Sequence, residues 1–253
     1  MNHANTDLPE VSTSELDGVR YLHLGTEWVQ GSMEIKKPFA IELDYVQRMM
    51  AWLLWADLRD LANLHTMQLG LGSAALTKFC YKHVRCRVTA IEINADVVSA
   101  CKAWFKLPEN DARLSVVLAD AGAEIAKTER RDTVDALQVD LYDHEAAAPV
   151  LDSIAFYKDC RLSLTEYGVM TVNLFGRMAS YDKSVEKICK AFGHENVWVF
   201  KPTTEGNAIV LAHRSPRCEL RAKLAENAEI IHTRFGLPAH KWLRIFKPVV
   251  VKT

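Results

Sequence analysis

The 253-residue sequence has no excess of either charge and no apolar run long enough to cross a membrane as a helix. Its 31 basic and 32 acidic residues give a formal net charge of −1, so the chain as a whole attracts neither nucleic acid nor an anionic lipid surface. No basic segment followed by an apolar one stands near the first residue. We therefore expect no nucleic-acid partner, no membrane partner and a cytoplasmic location.

Clustered cysteines are also lacking. Six cysteines occur singly, at positions 80, 86, 101, 160, 189 and 218, with no C-x-x-C pair and no Cys/His cluster. Structural metal sites need such spacing, so no metal site is expected. Cys80, Cys101 and Cys189 stand in apolar helical contexts, where free thiols act as small hydrophobic side chains.

A strand, a glycine turn and a helix are predicted over residues 66–75, T-M-Q-L-G-L-G-S-A-A, followed by a second strand over 88–93. Gly70 and Gly72 allow a tight turn and a close approach of the backbone to a ligand. Glu92 follows Gly70 by 22 positions, near the offset of about 20 at which an acid binds ribose hydroxyls. The pattern predicts a nucleoside site; the alternative is a βαβ unit whose glycines serve only packing.

The type of nucleoside follows from what surrounds the turn. A third glycine is absent unless Ala75 takes its place, and no lysine completes a phosphate-binding loop. A third apolar strand, L-S-V-V-L-A, ends at Asp120 and Ala121 and supplies a polar group for an adenine. The order favours an S-adenosylmethionine type of site over a dinucleotide site.

The wider pattern alternates strands and helices. Strands are predicted near 67–71, 88–93, 115–119, 134–140 and 168–174, which indicates a parallel sheet with helices on both faces. A hairpin over 197–202 and 207–213 adds an antiparallel strand. We therefore predict an α/β fold of the class I S-adenosylmethionine-dependent transferase type, with a doubly wound mixed sheet.

Two domains are predicted. Residues 1–40 comprise a disordered start, polar over the first 17 residues, and a small β hairpin with strands at 19–24 and 28–35. Residues 41–253 form the Rossmann-like, nucleoside-binding transferase domain.

The fourth parallel strand ends in acids, Asp140 and Asp143. Because ligands of doubly wound sheets lie beyond the carboxyl ends of the strands, Asp140 is expected in the cleft with Gly70, Glu92 and Asp120. Two carboxylates there can hold a cation, orient an amine or take a proton from a nucleophile. The alternative is that Asp140 caps a turn and Asp143 begins the next helix.

Taken together, these segments resemble the spermidine synthase family of aminopropyltransferases over roughly residues 19 to 213. The matching pieces are the leading hairpin with Gln30, L-D-Y-V-Q-R-M with Tyr45, the G-L-G turn, A-I-E-I-N with Glu92, Asp120-Ala121, D-L-Y-D from Asp140, F-Y-K-D-C from Phe156, and G-V-M from Gly168. The resemblance implies a homodimer that binds decarboxylated S-adenosylmethionine as co-substrate and a small amine as acceptor.

Residue roles follow from the same resemblance. Asp140 matches the acid that activates the attacking amine, Asp143 matches an acid that helps to hold the polyamine, and Tyr45 matches a tyrosine beside the amine. The predicted donor site comprises Gln30, Gly70, Gly72, Ser73, Glu92, Asp120 and Ala121.

The turn departs from the family pattern, G-G-G-D-G-G. Ser73 stands where an aspartate binds the amine of the donor, and Ala74 and Ala75 replace glycines. Loss of that aspartate leaves an alternative open, a methyltransferase that uses intact S-adenosylmethionine, whose carboxylate the aspartate would repel. A third hypothesis is a transferase-like domain that binds a nucleoside or a partner without turnover.

Overall fold

The computed structural model describes residues 8–141, 150–175, 180–217 and 221–249. Its N-terminal part is an antiparallel sheet of three strands, β1 (Val11–Leu16), β2 (Val19–Leu24) and β3 (Val29–Glu34). The predicted hairpin corresponds to β2 and β3, whereas β1 lies in the stretch that was expected to be disordered.

An Asp-Gly turn explains the additional strand. Asp17 and Gly18 both have positive φ, 51° and 79°, and the flanking Leu16 and Val19 pair directly. Two such residues make the turn whose twist suits a two-residue hairpin, and Asp-Gly is a strong sequence signal for it. The prediction of a frayed start is therefore wrong for β1, because it was based on the polar composition and did not take the Asp17-Gly18 turn into account.

The second sheet has eight strands in the order β11-β9-β10-β8-β7-β4-β5-β6. Neighbours from β8 to β6 are parallel, and β10 is antiparallel to both β8 and β9. The predicted mixed sheet is confirmed. The strands are β4 (His65–Leu69), β5 (Arg87–Glu92), β6 (Leu114–Leu118), β7 (Val134–Val139), β8 (Leu164–Phe175), β9 (Val197–Phe200), β10 (Asn207–His213) and β11 (Phe246–Pro248).

Helices cover both faces of this sheet. Helices α1, α2, α3, α7 and α8 contribute to one apolar cluster and α4, α5 and α6 to the other, which is the doubly wound arrangement. No helix among the described residues is long and apolar enough to span a bilayer. The helices are α1 (Asp44–Met49), α2 (Ala75–Phe79), α3 (Ala95–Trp104), α4 (Ala121–Ile125), α5 (Ile154–Ser163), α6 (Tyr181–Phe192), α7 (Arg221–Phe235) and α8 (Ala239–Ile245).

Side-chain caps begin the helices close to the ends of the strands. The Asn94 side chain accepts a hydrogen bond from the backbone of Asp96 at the start of α3, and Asp120 accepts one from Ala123 at the start of α4. Such caps satisfy amide groups that have no partner within the helix. They keep the turns after β5 and β6 short, so the residues at those strand ends stay beside the edge of the sheet.

The strand order reverses between β4 and β7, because the chain passes from β4 outward to β6 and then returns to β7 on the other side. A crevice forms at such a switch point, beyond the carboxyl ends of the strands. Gly70 follows β4 and Asp140 follows β7, and the amide of Asp140 donates to the carbonyl of Leu69 over 2.9 Å. The fold thus joins the glycine turn and the acidic strand end directly.

Candidate active site

A cavity of about 870 Å³ lies at this switch point. The carboxyl ends of β4, β5, β6 and β7 form its floor, and residues of β2 and β3 form a second wall. Its volume is within the range of small-molecule sites, which is roughly 300–1,000 Å³. The cavity therefore has room for a nucleoside together with a short second substrate.

The glycine turn lies tightly against the end of β7. Gly70 has φ +84°, and a Cβ there would lie 2.2 Å from the backbone oxygen of Asp140. Gly72 has φ +52°, and its Cβ would lie 3.2 Å from the carbonyl oxygen of Gln30. Glycine is thus required at position 70 both by the left-handed backbone and by the approach of β7.

Glu92 ends β5 and faces the cavity with a carboxylate that the backbone holds. One oxygen accepts the amide of Leu71 over 2.8 Å, and the other accepts the amide of Asn94 over 2.9 Å. Burial raises the pKa of Glu92, and the backbone hydrogen bonds oppose that shift. Each carboxylate oxygen has a further lone pair, which leaves acceptors for the two hydroxyls of a ribose.

Asp120 and Ala121 form the next part of the floor. Asp120 Oδ1 accepts the amide of Ala123 over 2.7 Å, so this oxygen caps α4. Ala121 is buried, and both residues line the cavity. Asp120 therefore serves both as a helix cap and as part of the pocket wall.

Asp140 is held by side chains from other elements. Asn173 Nδ2 donates to Asp140 Oδ1 over 2.9 Å, and the Tyr45 hydroxyl donates to Oδ2 over 3.4 Å. Asn207 in turn donates to the Asn173 oxygen over 3.0 Å. Burial raises the pKa of Asp140 above its ordinary value, while the hydrogen bonds from Asn173 and Tyr45 lower it in part.

The charge on the cavity wall has one sign. No lysine, arginine or histidine of the described ranges lines it, whereas seven acidic residues do, one of which, Asp44, is ion-paired with Arg48 over 2.6 Å. These are Glu27, Glu42, Asp44, Glu92, Asp120, Asp140 and Glu205. Because the whole chain carries a formal charge of only −1, this concentration is local, and it favours a cationic ligand.

Ser73 stands apart from the other predicted donor residues. It is buried, its hydroxyl donates to the carbonyl of Ser32 over 3.0 Å, and it lines a second, smaller pocket rather than the main cavity. Gly31 lies against it, and a Cβ on Gly31 would come within 2.6 Å of the Ser73 hydroxyl. Ser73 therefore joins the turn to β3.

The main cavity brings together the other predicted site residues that the structure describes: Gln30, Tyr45, Gly70, Gly72, Glu92, Asp120, Ala121 and Asp140. The Gln30 Nε2 group is buried with no hydrogen-bond partner among the described residues, and Gln30 lines the cavity. Asp143 lies outside the described residues.

Sequence reasoning missed Asn173 and Asn207. Asn173 lies near the carboxyl end of β8 and Asn207 begins the antiparallel β10 that pairs with it. The rule that identified Asp140, a polar residue at the end of a parallel strand, applies equally to Asn173. Within the described ranges, no group of three or more His, Cys, Asp and Glu side chains is arranged to hold a metal ion.

Solved structures share this fold. A probable spermidine synthase from Corynebacterium glutamicum superimposes with a TM-score of 0.73 at 16% identity, covering 92% of this chain and 88% of its own. Human methyltransferase-like protein 13, in complex with SAH, superimposes with a TM-score of 0.65 at 24% identity, covering 83% and 96%. At these identities the likeness confirms the transferase fold alone.

Sequence relatives identify the family. The model of the spermine/spermidine synthase domain matches residues 61–219. The polyamine aminopropyltransferase of Chromobacterium violaceum is 34% identical over 232 residues, covering 91% of this chain and 86% of that protein. Its counterpart in Neisseria meningitidis is 31% identical over 242 residues, covering 95% and 90%. The predicted resemblance is confirmed, and the chain belongs to the spermine/spermidine synthase family.

Proposed function

We propose that this protein transfers an aminopropyl group from decarboxylated S-adenosylmethionine to a di- or polyamine. The observation that carries the proposal is the cavity wall, where the described lining has seven acidic residues, one of them ion-paired with Arg48, and no basic residue. Both substrates of this reaction are cations without a carboxylate. Matching their charge with acidic side chains stabilises them in a site that is partly screened from water.

The donor half of the cavity suits a nucleoside. Glu92 has lone pairs for the ribose hydroxyls, and Gln30 has an unpartnered buried donor. Asp120 and Ala121 border the place of the adenine, as the family resemblance implies. The turn at Gly70 and Gly72 lets the sulfonium end approach the backbone near Asp140.

The acceptor half suits an amine that must lose a proton. Amines of this kind are mostly protonated at neutral pH, since a model lysine has a pKa of ~10.4. Asp140 takes the proton, and burial makes its carboxylate a stronger base than an exposed aspartate. The amine nitrogen then bonds to the methylene carbon of the aminopropyl chain that is attached to sulfur. The carbon–sulfur bond breaks, and its electron pair stays on sulfur as a neutral thioether.

Tyr45 orients Asp140 and lies beside the path of the amine. The role of Asp143 in holding the distal ammonium stays a prediction from the family. Positioning and proton removal would supply most of the catalysis, because a sulfonium is already a good leaving group.

Methyl transfer from intact S-adenosylmethionine is the less favoured alternative. Its donor carries a carboxylate, and the described wall of the cavity offers no cation to pair with it. A carboxylate without such a partner would lie among side chains of its own charge, which is unfavourable.

Calorimetric titration with decarboxylated and, separately, with intact S-adenosylmethionine tests the proposal. We expect clear preference for the decarboxylated donor and turnover with diamines. Preference for the intact donor would indicate a methyltransferase, and binding of neither would favour the non-catalytic hypothesis.

We also propose a cytoplasmic homodimer, in which residues 1–40 form a separate small domain. The five cysteines in the described part of the chain are free and buried, as suits a reducing compartment. Light scattering on the purified protein measures the oligomeric state, and a monomeric mass at working concentration would contradict the dimer.

A further inference from the structure

Position 73 holds no acid, and its side chain is hydrogen-bonded to the backbone of β3. The Ser73 hydroxyl donates to the Ser32 carbonyl, and the backbone of Gly31 packs against the same side chain. A carboxylate at this position would face a carbonyl oxygen at short range. The charge that binds the donor's ammonium therefore has to come from elsewhere in the site.

A small pocket lies beside Ser73 and next to the main cavity. Its volume is about 20 Å³, enough for one water-sized group, which needs roughly 10–15 Å³. Gln30, Tyr45, Gly72 and Asp140 line both spaces. An ammonium at the end of a three-carbon chain has the size for this pocket, provided that the nucleoside occupies the main cavity.

Two carboxylates line this pocket, those of Glu42 and Asp140. Asp140 has to accept a proton from the acceptor amine, so it cannot also serve as the permanent counter-charge of the donor. Glu42 borders both spaces and is oriented by the Ser32 hydroxyl, which donates to Oε2. Its Oε1 accepts no hydrogen bond from the described residues.

We propose that Glu42 binds the terminal ammonium of the donor's aminopropyl chain, in place of the aspartate that the family carries at the position of Ser73. The inference rests on the proposed function. A chain of contacts links the two changes: Ser73 donates to the carbonyl of Ser32, and the Ser32 hydroxyl donates to Glu42. Ser73, which stands where the family has the aspartate, thus helps to position Glu42 through its contact with Ser32.

Glu42→Gln tests this role, with two ligands compared by calorimetry. Decarboxylated S-adenosylmethionine carries the ammonium, whereas methylthioadenosine has the same nucleoside and sulfur without the aminopropyl chain. We expect Glu42→Gln to weaken the former about tenfold, as loss of one charged hydrogen bond does, and to leave the latter unchanged. Glu34→Gln is the matched control, because Glu34 ends β3 and lines neither the small pocket nor the main cavity, and it should leave the affinity for both ligands unchanged.

Ser32→Ala is the second variant, which frees Glu42 without removing its charge. We expect a smaller weakening for the decarboxylated donor and none for methylthioadenosine. Equal weakening of both ligands by Glu42→Gln, or no change in either, would overturn the role of Glu42. A wild-type protein that binds no decarboxylated donor would overturn the proposed function as well, so the two failures are distinguishable.

Discussion

The carboxylates at the ends of β5 and β7 face the same cavity but are held in different ways. Glu92 accepts hydrogen bonds from the backbone amides of Leu71 and Asn94. Asp140 accepts its hydrogen bonds from the side chains of Asn173 and Tyr45. Burial raises the pKa of both groups.

We call Glu92 and its backbone donors the fixed half of the site, and Asp140 and its side-chain donors the adjustable half. A side-chain substitution at Leu71 or Asn94 leaves the backbone amide in place, so the hydrogen bonds to Glu92 do not depend on the side chains there. Side-chain donors can be exchanged one at a time, and each exchange changes the basicity of Asp140.

The largest expected effect is on the adjustable half. Asp140→Asn removes the proposed base while keeping the size of the side chain, and we expect turnover to fall about 10²–10⁴-fold, the usual contribution of general base catalysis. Affinity for the decarboxylated donor should stay close to that of wild type, because Glu92, the proposed ribose ligand, is untouched. Steady-state rates and calorimetry measure the two effects, and an unchanged rate would remove Asp140 from the mechanism.

Gly70 is where the two halves meet, so Gly70→Ala tests their contact. An alanine there would have to adopt a left-handed backbone, and its Cβ would clash with the backbone oxygen of Asp140 at 2.2 Å. Gly236 is the matched control, since it has φ +70° and nothing within 4 Å of its Cβ. We expect Gly236→Ala to lower the free energy of unfolding by about 1–2 kcal/mol and Gly70→Ala to lower it clearly more, measured by denaturant unfolding. Equal losses would show that the contact with β7 adjusts freely.

Glu92→Ala tests the fixed half. We expect decarboxylated S-adenosylmethionine and methylthioadenosine to lose about 1.5–3 kcal/mol of binding free energy each, the range for hydrogen bonds to a charged group. Equal losses distinguish a ribose contact from the ammonium contact proposed for Glu42. Unchanged affinity for both ligands would place the ribose elsewhere in the cavity.

How far the site could be predicted differs between the halves for a physical reason. Gly70, Gly72 and Glu92 belong to one βαβ unit, where strand, turn and acid follow at fixed spacing, so the local sequence determines their geometry. The partners of Asp140 lie 33 and 95 residues away, and only tertiary pairing of β7 with β8 brings Asn173 to it. The resemblance to a family supplied Tyr45 and no local pattern marked Glu42, whereas Asn173 follows the same strand-end rule as Asp140.

Prediction of the fold from local sequence patterns has the same limit, because contacts between distant segments leave no local signal. Strand and helix alternation predicted the parallel core, because buried parallel strands are mostly apolar. The mostly exposed β1 carries no such pattern, and only its Asp17-Gly18 turn signals a hairpin. Packing of β3 against Ser73 depends on Gly31, a contact between segments about 40 residues apart that no periodicity reveals.

The smallest expected effect is a displacement of the pH–rate profile by Asn173→Ala. Asp140 acts as a base only when ionised, so kcat/KM falls as the pH drops through its pKa. The hydrogen bond from Asn173 lowers that pKa, and removing it raises the pKa. The acid limb should therefore move to higher pH, with little change in the rate well above it.

Asn207→Ala is the control, because Asn207 contacts Asn173 and not Asp140 in the described residues, and its displacement of the acid limb should be smaller. If Asn173 had a merely structural role, its loss would lower the rate at every pH and leave the acid limb in place. The pKa of Asp140 would then not depend on this side-chain donor.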